Sequence, residues 1–469
     1  MKRNDNGLLY GPEDKVSYFQ SGLLGLQHVL AMDVYVPPLI IAGLLSMTLG
    51  QKTGFLQAAF LACGIGTILQ TKFFMKLPVS QGPSFVPIGA VAGVYFANGA
   101  AHGGLATVLG SLVIGAILLI LLGLSGIYQK VINTLVPALV GGTIITCVGL
   151  SLLPSALNDN IFKATGNVDQ NIEIAAITGF AMLAAITIGI RIPQLQRLFR
   201  VSSIVIALII GTVVASAMGR FDWSVVNNAP WLSLPKFTAV HYGLHFSLPA
   251  ILTFVVIYMV LTTETTGTWF AMSAVVGEKI LKKQWNRGII GEGLSCLFAA
   301  LLGTTPMTGY STNAGVVSIT GVASRRVFVS AGIWFMVLGF FGKLSAFLSA
   351  VPAPVIGGIF SIICVIIMLN GLNVIRDLDT NESSIYILGI PIVLTMAVIL
   401  LPSAVLKSTP QMVQYLLGSP ITIAAISAVV LNLTMGDHKA EVSEDNQSNE
   451  NPKNTTSHIE AQKLAESKS

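Results

Sequence analysis

Long apolar runs recur along this 469-residue chain, and they leave few folds open. A helix needs about 20 apolar residues to cross the hydrocarbon core of a bilayer. Runs of that size fall near residues 18–49, 53–70, 104–124, 131–153, 172–190, 201–218, 247–276, 288–303, 327–348, 355–373, 384–401 and 413–434. Two further segments, 80–97 and 305–322, are apolar but broken by Gly, Pro, Ser, Thr and Asn. Only 10% of the residues are charged, against about 25% in a soluble domain. The composition therefore excludes a string of soluble domains. It predicts an all-α polytopic membrane protein with fourteen transmembrane segments. Cys63, Cys147, Cys296 and Cys364 all lie inside apolar runs, with neither metal-ligand spacing nor a loop position that suits a disulfide, and read as small buried hydrophobes.

An even number of spans puts both termini on one side, and loop charge indicates which. With the N-terminus in the cytoplasm, the inner loops hold Lys72, Lys76, Arg191, Arg197, Arg200, Lys279, Lys282, Lys283, Arg287, Arg325 and Arg326, among others. The outer side holds Lys52, Lys163, Arg220, Lys236, Lys343 and Lys407. The expected organisation is a cytoplasmic N-terminal segment (1–17), a first repeat (18–218), an extracellular connection (219–246), a second repeat (247–435) and a polar, disordered cytoplasmic tail (436–469).

The halves correspond. The broken segments are third in each, and two spans later Val136-Pro-Ala-Leu-Val-Gly-Gly opens the fifth span as Val351-Pro-Ala-Pro-Val-Ile-Gly-Gly opens the twelfth. Seven spans separate them, so the two seven-span repeats insert with opposite orientation. Secondary transporters are built this way, with substrate near the midplane between broken helices. Non-helical backbone at that depth must be satisfied by protein or must line a cavity.

Charges inside spans are costly and mark function. Glu264 sits midway along the eighth span, in Thr262-Thr-Glu-Thr-Thr-Gly-Thr268, and can accept hydrogen bonds from a polar ligand or carry a proton. The bland alternative is an acid bonded between helices. Asp33 lies inside the first span, and His28, next to Gln27, is five residues earlier on the expected helix. Glu292 lies one turn inside the ninth span, either an interfacial anchor or a partner of Arg287; His245 sits at the outer mouth of the eighth. The broken segments, Ser80-Gln-Gly-Pro-Ser-Phe85 and Thr308-Gly-Tyr-Ser-Thr-Asn-Ala-Gly315, offer hydroxyls, amides and free backbone, each followed by a helix N-terminus. A planar heterocycle could stack on Phe85 while its polar edge meets Glu264 and Asn313. Helix N-termini would suit an anion as well.

Four stretches resemble the nucleobase-ascorbate transporter family, also called nucleobase:cation symporter-2: Leu26-Gln-His-Val-Leu-Ala-Met32, Gln81-Gly-Pro-Ser-Phe85, Glu264-Thr-Thr-Gly267 and Asn313-Ala-Gly-Val-Val-Ser-Ile-Thr-Gly321. The resemblance covers roughly residues 18–435. It implies two inverted seven-span repeats divided into a core and a gate, homodimers, and proton- or sodium-coupled uptake of a base such as uracil, xanthine, hypoxanthine or urate across the cell membrane. By position it implies that Glu264 holds the base, that Phe85 stacks on it or offers its backbone, and that Asn313 organises the site; Ser84, Ser311 and Thr312 of the broken segments are the further candidates to contact it. Glu264, Asp33, His28 and Glu292 are the candidates for proton coupling, of which His28 and Glu292 match family positions, with Gln27, Gly267, Thr268, Gly315 and Thr320 expected in support. Glu292 matches a carboxylate that matters in purine-carrying relatives. The chain departs from the family at Thr312, where relatives carry Gln or Glu, at Thr268, where they carry Asp or His, and at Asp33, which is expected to replace part of the missing polar groups.

The titratable set favours a proton over sodium, and no cofactor, metal or nucleic acid is implied. An anion exchanger of the same architecture is the alternative reading, disfavoured by Glu264. A passive channel needs no buried titratable groups or broken repeats. An enzyme is disfavoured because no zinc motif, catalytic Ser/His set or facing Asp pair is present.

Overall fold

The computed structural model describes residues 8–436 except 100–102, 193, 197–198, 200–201, 236–241, 311, 377 and 379–380. The tail beyond 436 and the first seven residues lie outside the described residues. The first half runs α1 (Tyr18–Leu30), α2 (Val36–Leu44), α3 (Leu49–Ile68), β1 (Gln81–Pro83), α4 (Ile88–Asn98), α5 (Gly104–Ser125), α6 (Tyr128–Leu135), α7 (Ala138–Pro154), α8 (Val168–Arg191) and α9 (Ser203–Ala217). A short α10 (Trp223–Asn228) follows. The second half runs α11 (Leu248–Val276), α12 (Lys282–Leu302), β2 (Met307–Gly309), α13 (Thr312–Thr320), α14 (Arg325–Phe340), α15 (Gly342–Ala350), α16 (Ala353–Arg376), α17 (Glu382–Ile399), α18 (Ser403–Ser408), α19 (Gln411–Leu417) and α20 (Pro420–Met435). Seven helices among the described residues are long and apolar enough to span a membrane, with shorter apolar helices at α4, α9 and α20.

Packing relations come in matched pairs, as two copies of one unit require. In one bundle α12 lies on α5 as α14 lies on α3, and α11 lies on α5 as α1 lies on α14. In a second bundle α8 pairs with α9 as α17 pairs with α20, while α7 and α16 face each other across the middle. Helices in lipid approach closely where side chains are small. Adding a Cβ to Gly64 would bring it 2.5 Å from the Gly332 carbonyl, and one on Gly371 would meet the Gly142 carbonyl at 2.6 Å. The first contact joins α3 to α14 and the second joins α7 to α16.

Both expected interruptions are present. β1 and β2 pair antiparallel, Gln81 opposite Gly309 and Pro83 opposite Met307. Each strand thereby satisfies backbone that neither half-helix could satisfy alone. The first span differs from expectation: it is not one helix over 18–49 but two, with the chain unwound from Ala31 to Tyr35. Pro37 and Pro38 are the reason, since neither can donate to a carbonyl four residues earlier. His28 and Asp33 are thus not on one helix.

The N-terminal segment is more than a leader to the first span. The Leu9 and Tyr10 amides donate to the Gly321 carbonyl, the Ala323 amide to Tyr10, and the Arg325 amide to Pro12. Arg325 also pairs with Glu13. Leu8 is buried among Ala314 and Val317, behind the half-helix α13.

Candidate functional site

Two carboxyl groups flank the strand pair, and their surroundings differ. Glu264, on α11, is partly exposed. Ser84 Oγ donates to its Oε2 at 2.7 Å. Ser84 is held in turn: its amide donates to the Pro306 carbonyl at 3.0 Å, and its Oγ accepts the Val86 amide at 3.1 Å. The serine therefore joins β1, the entry to β2 and α11 at one point.

Glu292, on α12, is completely buried. It does not pair with Arg287, whose guanidinium donates to the Phe73 carbonyl at 2.8 Å, and it is no interfacial anchor. Instead Thr265 Oγ1 donates to its Oε1 at 2.6 Å, and Gln70 and Gln81 amides donate to its Oε2 at 3.0 and 2.9 Å. Thr265 Oγ1 also lies 2.9 Å from Thr308 Oγ1 and accepts the Gly309 amide at 2.8 Å. One carboxyl thus ties α12 to the end of α3, to β1 and to α11. Gln81, Thr265 and Thr308 lie inside the polar segments of the third, eighth and tenth spans and Gln70 is a polar amide at the end of an apolar run, but nothing local in the sequence marks any of them as a partner of Glu292.

Thr268 is buried and supports β2, donating to the Gly309 carbonyl at 2.8 Å. Thr320 closes the end of α13 by accepting the Val322 amide at 3.2 Å. Asn313 is fully buried; its Nδ2 lies 3.5 Å from Met32 Sδ, and its Oδ1 has no partner. Thr312 at the start of α13 is exposed, and Ser311 lies outside the described residues. Phe85 is 8% exposed, with its ring stacked on Phe360 of α16 at 5.9 Å and 19°. This stack bridges the two bundles, so the face expected to receive a ligand is covered by an aromatic side chain. His28 is buried with its ring 4.6 Å from that of Phe328, and Gln27 beside it is half-buried. His245 is exposed, its Nδ1 3.1 Å from Thr107 Oγ1.

Beside Glu264 the surface is open. Gly267, one turn further along α11, and Gly315, one turn along α13, are both exposed, and a Cβ on either would meet nothing within 4 Å. Thr312 is exposed on the same half-helix, α13, which packs on α11, while Ser84 bonds the Glu264 carboxyl from the strand side.

The profile of the family Xan_ur_permease, described as a permease family, matches residues 19–404. The chain belongs to this family. It is 27% identical over 418 residues to the uric acid permease PucK of Bacillus subtilis, covering 87% of this chain and 94% of that one. It is 28% identical to the xanthine permease of the same organism (87% and 92% covered), and 28% identical to the xanthine permease XanP of Escherichia coli K12 (92% and 95% covered). Among solved structures, the transmembrane domain of the cyanobacterial bicarbonate transporter BicA superposes with a TM-score of 0.56 at 16% identity, covering 89% of this chain and 99% of that one. SLC26A9 gives 0.60 at 14% identity, covering 90% and 66%. These likenesses concern the fold. The chain is therefore an all-helical, multi-pass membrane transport protein with two broken segments meeting at its centre, and not an enzyme.

Proposed function

We propose that this permease is a secondary transporter that imports a nucleobase, a purine such as xanthine, hypoxanthine or urate, or uracil, together with a proton. The observation that carries the reading is the Glu264 carboxyl, fixed by Ser84 on one side and opening toward Gly267, Gly315 and Thr312 on the other. A planar ring with N–H donors fits against such a carboxyl, because the acceptor edge is pre-positioned and the neighbouring glycines clear room for a flat ligand. Glu264 also serves as the proton carrier: a carboxyl in a span is tolerable in lipid surroundings when a proton or ligand accompanies it. A free anion has no cationic side chain to meet here, since α11, α13, β1 and β2 carry neither Lys nor Arg.

Asn313 organises the α13 side of the pocket, and Phe85 stacks on the base once Phe360 withdraws with the second bundle. That withdrawal supplies alternating access. The protein lies in the cell membrane as a homodimer with fourteen spans and both termini cytoplasmic, in line with the loop charges. The test is uptake of labelled uracil, xanthine, hypoxanthine, guanine and urate into proteoliposomes, with and without an inward proton gradient. Saturable, gradient-driven uptake of one base that disappears in Glu264→Gln is expected. No uptake of any base by folded protein would turn the reading to another solute.

A further inference from the structure

The segment of α11 that carries Glu264 is one that a helix holds poorly by itself. Thr262-Thr-Glu-Thr-Thr-Gly-Thr268 contains five threonines and a glycine, residues of weak helix propensity. It stays helical in the middle of a 29-residue span, so its orientation depends on what grips it from outside. Two grips belong to the strand side. Thr265 Oγ1 donates to Glu292 at 2.6 Å, and Thr268 Oγ1 donates to the Gly309 carbonyl at 2.8 Å.

The third grip comes from another part of the chain. Tyr128 opens α6, an eight-residue helix that leads from α5 in the first bundle to α7 in the second. Its side chain is 0% exposed, and its hydroxyl lies 2.6 Å from Thr266 Oγ1 and donates to the Thr262 carbonyl at 3.3 Å. Thr262 and Thr266 are one turn apart and share a face of α11. Glu264 lies between them in sequence, roughly 200° around the axis from each, so the phenol grips the back of the helix whose front presents the carboxyl. α6 itself packs on α5, α12 and α20; among the described residues, Tyr128 supplies its hydrogen bonds to α11. A phenylalanine would fill the same space in the cluster with Ile132, Trp269, Met272 and Ile289. The hydroxyl needs a further reason, since a buried polar group persists only where it is bonded, and its two partners bracket Glu264.

We propose that Tyr128 is a positioning residue for transport: its hydroxyl fixes the rotation of α11 at Glu264 and so sets the direction in which that carboxyl meets its ligand. This role rests on the reading of Glu264 as the ligand's partner. The far end of α6 touches the second bundle, where the Thr134 carbonyl accepts the Asn432 amide of α20 at 3.4 Å. One short helix thus reaches the ligand-bearing span at its start and the second bundle at its end.

Tyr128→Phe keeps the ring and removes the hydroxyl. Thr266 then bonds the Thr262 carbonyl one turn back, as threonines within helices do, so the variant should fold. Two measurements on the full-length protein decide the matter. Hydrogen exchange without any base should run about fivefold faster over residues 262–268, with α16 unchanged. In proteoliposomes the apparent KM for the transported base should rise about fivefold while the maximal rate per folded protein stays within about twofold, because the carboxyl is displaced and not lost. Thr266→Val cuts the same bond from the other side and should behave alike, and the double variant should be no worse than either single one. Tyr386→Phe, which alters an exposed tyrosine of α17, should change neither readout. Wild-type exchange and wild-type KM in folded Tyr128→Phe would reduce the residue to packing and overturn the proposal. Uptake that falls only in proportion to folded protein, with KM unchanged, overturns it as well. If the wild type itself takes up no base, the reading of Glu264 fails; unchanged exchange in Tyr128→Phe still overturns the hold on α11, and faster exchange still supports it.

Discussion

Glu264 and Glu292 are the same residue type on adjacent helices, yet the protein surrounds them differently. Glu292 is enclosed, and its oxygens take three donors from three segments. Glu264 is partly open, held by Ser84 on its inner side. A carboxyl whose lone pairs are filled by protein suits a joint; the one left open is, on the proposed reading, the one that meets a ligand. The hydroxyls of Thr265 and Thr308 lie between them, 2.9 Å apart, so the joint sets the position of the strand that borders the open site.

The largest effect should follow from removing the open carboxyl. Glu264→Gln should lower gradient-driven uptake at least about a hundredfold, because a site built around a hydrogen-bonding group discriminates strongly when that group changes. Its elution as a monodisperse peak should be unchanged. Glu292→Ala should act on the fold instead. Gln70 and Gln81 would each be left with an unmatched buried N–H, on the order of 1–3 kcal/mol each, Thr265 would lose one of its partners, and the thermal midpoint in detergent should fall. Glu292→Gln should recover part of that stability. If the two variants proved alike, losing uptake and stability together, the distinction between joint and open site would be broken.

Smaller effects sharpen the comparison. Gly267→Val projects into open space and should fold normally, yet weaken uptake roughly tenfold or more by displacing the ligand from Glu264. A kinetic split, with apparent affinity lost and expression kept, checks it. Thr268→Val removes the bond to the Gly309 carbonyl and should cost about 1 kcal/mol, measurable as a modest drop in thermal midpoint. Phe360→Ala removes the ring stacked on Phe85, a pairing worth about 0.5–1.5 kcal/mol. It should raise the rate of base exchange a few-fold, seen as faster counterflow.

The apolar runs disclosed the helical membrane fold because lipid imposes length and composition on every span. The two broken segments were legible because Gly, Pro and Ser interrupt otherwise apolar runs. The break at Ala31–Tyr35 was not, although Pro37 and Pro38 cause it, because prolines are tolerated within spans that stay continuous. Glu264 was found as a charge in the middle of a span. Glu292 was placed too near the membrane surface, since Lys282, Lys283 and Arg287 precede it closely in sequence. Its partners come from three distant segments, and no local pattern encodes such convergence. The covering of Phe85 by Phe360, 275 positions apart, is a matter of tertiary packing for the same reason.

The proposed position of the base is beside Glu264 and over the exposed Gly267 and Gly315. It is tested most directly by placing a thiol there. All four native cysteines are buried and free, so Gly267→Cys supplies one accessible sulfur. Labelling of that variant by a small maleimide, followed with and without each candidate base, should be slowed by the transported base and unaffected by the others. Equal labelling in the presence of a base that the protein demonstrably transports would contradict the claim and move the binding site elsewhere.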